Sequence, residues 1–560
     1  MRAADKRPFL LGLGLVLLAA FLLRIWGLRS GLPFLYNVDE GSHFVPRAIG
    51  MFDHSYDPGY FINPPAFTYL LHAAFWLRWG GTGVREQFAA DPTPVFALAR
   101  ALSALLGTAA AGLLAWAAVR LFDRRVALVA AGLLAVAFLP VHYGHFALND
   151  SPTLAPVCLS LLGTAGVYRR GRTRDYVLAG IGVGLATATK YTAGIVVVPL
   201  LGAALVGPGS PGRRLRDLVL AGAISLAAFL VANPYAVLDF HQFRLGLQDQ
   251  SAASSDGGGK LGLSDQHGLT YYAGTLAWGL GIVPALAALG GAIWLTIRDR
   301  RLAAVLVPMP LLYLAFMGLQ DRFFARWLLP IYPVVILLAA WAAVEALSRL
   351  PRLPAWAPAA IAALLLGIQG LVYAVHNDQV LARSDTRALA RAWMVRHIPE
   401  GSKVVLEPIT PDPWVTDPGD PSPRTPNGAR WLKRPGSHFA ISPSGHKTLL
   451  STVKLEDYER TLRPDLVGSY TRGGFCWVIT GSTQYGRSAV EPRQAPYAIR
   501  YYRRLREVGR VVFTISPLRR GTDEPAFSFD DSFNYRPLGY TRPGPKIVIY
   551  RLRGNRCGVS

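Results

Sequence analysis

Charged residues make up only 17% of this 560-residue chain, and cysteine occurs just three times. Soluble domains carry roughly 25% charged residues, so the low value argues against a soluble protein with a large core. Three cysteines are too few for a disulfide scaffold. Cys158 lies in an apolar run and reads as packing, whereas Cys476 and Cys557 both fall in a polar C-terminal region, and the sequence leaves open whether they pair. Also missing are a Walker loop, a GxGxxG opening a helix, HExxH, GxSxG and any CxxC pair. ATP and nicotinamide chemistry therefore lack support. No internal repeat of 20–50 residues is visible.

What the chain does have is apolar residues, 51% of the total, gathered into blocks. Their length is near the roughly 20 residues that cross a bilayer as a helix. Eleven spans are predicted, at about 8–28, 94–119, 126–141, 151–168, 175–189, 192–207, 216–232, 270–297, 302–319, 327–347 and 355–375. The first is longer than a signal-peptide core and no small-residue cleavage site follows it, so it reads as a retained helix. The net charge of +23 does not point to nucleic acid, because much of it sits in short loops where it reports topology. Alternate connections carry Arg2/Lys6/Arg7, Arg120/Arg124/Arg125, Arg169/Arg170/Arg172/Arg174, Arg213/Arg214/Arg216, Arg298/Arg300/Arg301 and Arg349/Arg352. By the positive-inside rule these connections and the N-terminus are cytoplasmic. The odd span count then puts residues 376–560 outside.

The expected architecture is a polytopic α-helical membrane domain over 1–375 and a soluble extracytoplasmic α/β domain over 376–560. The first outer loop, 29–93, contains PPAFTYLLHAAFWLRWG (Pro64 to Gly80), whose apolar and aromatic face predicts a helix lying on the membrane surface; a buried re-entrant segment is the competing reading. Ser42 to Asp53 is a second candidate of the same kind. Loop 233–269 includes SAASSDGGGK, flexible by composition, and reads as a mobile loop over a site or a plain connector. In the last region Thr386 to His397 has helical spacing. KVVLEP, FCWVITG, RVVFTISP and KIVIYRLR read as strands, with 408–446 a long loop.

Polar residues collect at the predicted outer ends of the spans: Asp39 and Glu40; His142, Tyr143, His145 and Asp150; Lys190 and Tyr191; Arg322 and Arg326. Ionisable groups at membrane depth are costly and tend to be functional. Moving a sugar off a lipid phosphate needs a base for the acceptor hydroxyl, which a carboxylate supplies, and cations for the phosphate, which Lys and Arg supply. Plainer roles compete. Asp150 also suits a helix cap before Ser151-Pro152, Lys190 a helix-end cation reaching the interface, and Arg322 and Arg326 pairing with Asp321. His142 and His145 suit structural roles better than metal ligation.

The chain resembles GT-C superfamily glycosyltransferases, and more narrowly the bacterial relatives of protein O-mannosyltransferases and of lipid A aminoarabinose transferases. The resemblance rests on Asp39-Glu40 in the first outer loop, NDSPT at Asp150, ATKYTAG at Lys190 and RFFARWLLPIYP at Arg326. DTRALARAWMVRHIPEGSKVVLEP, FSFDDSF and GPKIVIYRL extend it almost to the end. It implies a polyprenyl-phosphate-linked sugar donor, a lipid, glycan or protein acceptor, and a multi-pass protein of the bacterial plasma membrane. Asp39 would be the base of an inverting single displacement, and Glu40 would support it or the acceptor. Asp150 would shape the acceptor or, as in some relatives, help hold a divalent cation. Lys190 and Arg326, with Arg322 a weaker candidate, would contact the donor phosphate. His142, Tyr143, His145 and Tyr191 would be site neighbours. Two other readings compete: a transporter or flippase of a lipid-linked glycan, and a non-catalytic envelope-assembly protein.

Overall fold

A computed structural model describes residues 7–52, 55–254, 261–263, 266–351, 353–416, 429–434, 440–441, 447–448 and 458–558. Every one of the eleven predicted apolar segments is helical. Among the described residues, six helices are long and apolar enough to cross a membrane: Arg7–Ile25, Thr93–Leu121, Pro211–Ala232, Arg300–Gly318, Ala325–Leu347 and the run that begins at Ala357. Two more candidates are bent pairs, by 55° between Arg124–Val136 and Phe138–Gly144 and by 116° between Gly268–Gly279 and Ile282–Arg298. The sharper bend sits at Gly281, whose φ of 125° is a conformation that side chains resist. Leu154–Arg170 and Thr173–Thr189 have 17 residues each, at the short end of what spans a bilayer, and Tyr191–Val206 is shorter still.

Those short helices pack by their glycines. A Cβ on Gly163 would overlap the Ala179 backbone and one on Gly182 the Ser160 backbone, so Leu154–Arg170 and Thr173–Thr189 meet main chain to main chain. Gly180 and Gly184 do the same against Ala221 and Ser225 of Pro211–Ala232. Small residues that permit such approach are the usual device for helix association in a membrane. At the opposite ends of these helices, Asp175 accepts hydrogen bonds from Arg170, and Asp217 from Arg216 and Thr173.

The predicted surface segment is a helix, Ala66–Trp79, with Phe67, Leu71 and Phe75 buried and Leu70, Trp76 and Leu77 exposed. The stretch expected to be a mobile loop is different. Tyr235–Leu238 and Phe240–Ser254 are helices, and residues 255–260 lie outside the described ones. Leu261 is buried in the core of the C-terminal domain, where the Gly262 N–H donates to Glu491 at 2.6 Å. A buried leucine and a part-buried hydrogen bond from main chain to side chain hold this connection to the following domain.

Helix Ala357–Leu381 runs past the predicted boundary, and Thr386–His397 follows with Asp385 capping it through the Arg387 N–H. The four predicted strands are present: Lys403–Leu406, Trp477–Gly481, Gly509–Ile515 and Ile547–Leu552. With Leu432–Lys433, from the segment expected to be loop, they form one sheet. Its order is 432–433, 403–406, 477–481, 547–552, 509–515, the first three parallel and the last two antiparallel to their neighbours. Much of 408–446 lies outside the described residues. A disulfide joins Cys476, just before the third strand, to Cys557. The domain rests on the loop that follows the first helix, where Arg387 stacks over Tyr36 at 3.9 Å and Arg391 over Phe34 at 4.8 Å.

Candidate active site

A cavity of about 2490 Å³ lies between the helical part and the C-terminal domain. Single ligand pockets are usually about 300–1,000 Å³, so there is room for two substrates. Asp39, Asp150, Lys190 and Arg326 all line it.

Asp39 stands at the start of an irregular turn, Glu40–Phe44, which Asn37 fixes by accepting from the Asp39 N–H at 3.1 Å and the Glu40 N–H at 3.3 Å. One Asp39 oxygen accepts from Arg326 Nη2 at 2.7 Å, and the other lies 3.4 Å from His43 Nε2. Arg326 opens the Ala325–Ile331 turn, and its Nε lies 3.7 Å from Asp150. Asp150 in turn pairs with Lys190 Nζ, at the end of Thr173–Thr189. Four residues from four segments thus form one chain of alternating charge: Asp39, Arg326, Asp150, Lys190. Burial opposes ionisation of Asp39. Arg326 first, then His43 and Arg322, outweigh it and hold the carboxyl well below the usual carboxylate range.

The simpler roles of three of these residues do not fit. The helix after Asp150 starts at Leu154 with no side-chain cap. Lys190 is buried against Asp150 instead of reaching outward. Arg326 pairs with Asp39 and Asp150. Arg322 lines the same cavity, stacked over Phe324 at 5.2 Å beside Arg326 at 4.6 Å. Tyr191 lines it too, with its hydroxyl donating to the Phe61 carbonyl at 2.9 Å.

Glu40 is the main departure from expectation. It is fully buried and gripped by Arg100 through Nε at 2.6 Å and Nη2 at 2.7 Å, while the Ala147 N–H donates to it at 2.9 Å. Its oxygens are turned to those donors, which fasten it in place. Arg100 also donates to the carbonyls of Leu28 and Ser30 at 2.7 and 2.9 Å. One buried ion pair therefore ties the end of the first helix, the Asp39 turn and the Asp150 turn together. From the other side, Asn149 donates to the Thr189 carbonyl at 2.7 Å, joining the Asp150 turn to the Lys190 turn. Arg100 was detectable as a lone arginine inside an apolar span, a costly placement.

The two histidines are both buried and held by neighbouring groups. His142 meets Asn377 at 3.0 Å, and His145 lies between the Val141 and Trp26 carbonyls and 3.2 Å from Asp378. His142 and Tyr143 reach the cavity wall, and Tyr143 lies beside Arg326. A divalent cation has no suitable donor set here. No group of three or more His, Cys, Asp or Glu side chains among the described residues is placed to hold one. The oxygens of Asp39 and Asp150 face Arg326, Lys190 and His43, and the residues present do not fit a metal.

The C-terminal domain brings a further acid. Asp530 lines the cavity and accepts from the Tyr271 hydroxyl at 2.9 Å. Burial pushes its carboxyl up to about 6.

A helical membrane domain, a sheet-containing domain over its mouth and an acid–cation chain between them make up this protein. Within it, residues 93–237, which run through the Asp150 and Lys190 turns, match the family described as dolichyl-phosphate-mannose-protein mannosyltransferase. The apo oligosaccharyltransferase of Archaeoglobus fulgidus aligns over 96% of this chain and 78% of its own, at 13% identity and a TM-score of 0.52. The oligosaccharyltransferase AglB from Archaeoglobus fulgidus, in complex with an inhibitory peptide and a dolichol-phosphate, aligns over 94% and 75%, at 13% identity and a TM-score of 0.51. ArnT from Cupriavidus metallidurans bound to undecaprenyl phosphate aligns over 87% and 95%, at 14% identity and a TM-score of 0.47. No curated protein sequence matches the chain. The two archaeal alignments show a common fold.

Proposed function

We propose that this protein transfers a sugar from a polyprenyl-phosphate donor to an acceptor hydroxyl at the membrane face covered by its C-terminal domain. The observation that carries this reading is the Asp39–Arg326–Asp150–Lys190 chain on one cavity wall. Lys190 and Arg326 hold the donor phosphate, with Arg322 beside them. Asp39 accepts the proton of the acceptor hydroxyl as its oxygen attacks the anomeric carbon. The bond from that carbon to the phosphate oxygen breaks, the lipid phosphate leaves with the electron pair, and the configuration inverts.

A strongly ionised carboxylate is a weak base, and Arg326 is what makes Asp39 so. A donor phosphate that engages Arg326 draws the guanidinium away from Asp39 and raises its basicity as substrate arrives. The acceptor proton also becomes more acidic as its oxygen bonds to carbon, so its transfer late in the step suits such a base. Asp150, paired with both Lys190 and Arg326, offsets the repulsion between the two cations. The disulfide suits an oxidising compartment, in keeping with a C-terminal domain outside the cytoplasm.

The test is Asp39→Asn in purified full-length protein. Transfer is lost while the amount of membrane-inserted, folded protein stays at the wild-type level. Wild-type turnover by this variant removes Asp39 as the base. Purified protein in detergent that turns over a lipid-phosphate sugar is an enzyme and not a transporter, since transport needs two compartments.

A further inference from the structure

Asp530 does not belong to the acid–cation chain, yet it reaches the same cavity from the other domain. Three observations define it. First, the loop that carries it is locked. Phe529 is buried between Phe324 of the helical part, at 6.1 Å between ring centres, and Phe533, at 5.5 Å, with Arg487 over its ring at 5.3 Å. The Asp530 carbonyl accepts from Asn534 Nδ2 at 2.9 Å and from the Phe533 and Asn534 N–H groups at 3.0 and 2.8 Å. Arg536 fixes the neighbouring Asp531 at 2.6 Å. Second, one oxygen of Asp530 takes the Tyr271 hydroxyl, and among the described residues the other makes no hydrogen bond while its residue lines the cavity. Third, Asp530 is within electrostatic reach of both Arg326 and Tyr143.

A carboxylate cannot bind the donor phosphate, because both are anions. Beside a phosphate site its natural partner is a neutral donor, and a sugar offers hydroxyls, whose bonds to a carboxylate are short and strong. A preorganised group loses little conformational freedom on binding. Resting on the donor reading above, we propose that Asp530 is a specificity-determining residue whose carboxylate, oriented by Tyr271, accepts a hydrogen bond from a hydroxyl of the sugar carried on the lipid phosphate. The C-terminal domain then selects the donor sugar, while the membrane helices hold its phosphate and lipid.

The test measures binding of undecaprenyl phosphate, bare or loaded with mannose, glucose or arabinose, to full-length protein in nanodiscs. Wild type binds the bare carrier and binds at least one loaded carrier more tightly. Asp530→Ala weakens that loaded carrier about 10- to 100-fold, the range for one hydrogen bond to a charged group, and leaves the bare carrier within about twofold. Asp530→Asn keeps the loop's shape and an acceptor oxygen for Tyr271, and shows a smaller loss with the same selectivity; Tyr271→Phe falls between. Equal losses for bare and loaded carrier, or no loss for the loaded one, overturn the proposal. So does a wild type that prefers no loaded carrier over the bare one. Failure of wild type to bind the bare carrier at all strikes the donor reading instead.

Discussion

Replacing Glu40 separates two roles that a carboxylate beside Asp39 can have. Glu40 accepts two bonds from Arg100 and one from Ala147, and neither charged side chain is more than 2% exposed. Glu40→Gln keeps the volume and one acceptor oxygen but turns an NH₂ group toward a guanidinium donor and leaves the buried Arg100 charge without a counter-ion. Breaking a buried pair from one side costs about 3–5 kcal/mol. Arg100→Met strands the Glu40 anion in the same way and falls in the same range. With both replaced, no buried charge is left uncompensated, so the double variant costs about 2–3 kcal/mol less than the sum of the singles. Denaturant unfolding of the protein in nanodiscs reads these differences. Turnover falls in each single variant because the Asp39 and Asp150 turns lose their common tie, and it partly returns in the double variant. A Glu40→Gln protein as stable as wild type but without turnover refutes the reasoning, and would make Glu40 a group that acts on substrate.

Two further outcomes follow from the C-terminal domain. Burial holds the Glu407 carboxyl up at about 8 in the fold, against an ordinary value of 4.5, with the Tyr502 hydroxyl and the Gly481 N–H countering only in part. A raised folded pKa gives stability that is complete below about pH 4.5 and is lost as pH rises toward 8, by up to about 1.4 kcal/mol per pH unit. Unfolding of Glu407→Gln should lack that slope; identical pH dependence in both proteins removes Glu407 as its source. The Cys476–Cys557 bridge closes a separation of 81 residues, worth about 4 kcal/mol by loop entropy. Paired serine replacements should lower the domain's stability by that amount, and in intact cells the wild-type cysteines should resist a membrane-impermeant alkylating agent until reduced. Alkylation without prior reduction contradicts the pairing.

Local signals carried the secondary structure well. Runs of apolar residues became helices, and KVVLEP, FCWVITG, RVVFTISP and KIVIYRLR became strands, because length and side-chain period decide these without reference to the rest of the chain. Asp39, Asp150, Lys190 and Arg326 could be grouped because loop charge assigned them to one membrane face. What the reading missed depends on contacts distant in sequence. Arg100 reaches Glu40 across 60 positions and Tyr271 reaches Asp530 across 259, and no spacing rule links such pairs. Adjacency also misled, since Asp39 and Glu40 are neighbours in sequence yet point to different partners. The 240–254 helix was hidden by a flexible composition that begins only at its end.

The glycine contacts between Leu154–Arg170, Thr173–Thr189 and Pro211–Ala232 have a mechanical consequence. Helices that touch main chain to main chain have no side chains between them to repack, so the three behave as a single slab. Asp150 precedes its first member and Lys190 follows its second, which keeps the separation of anion and cation constant under thermal motion.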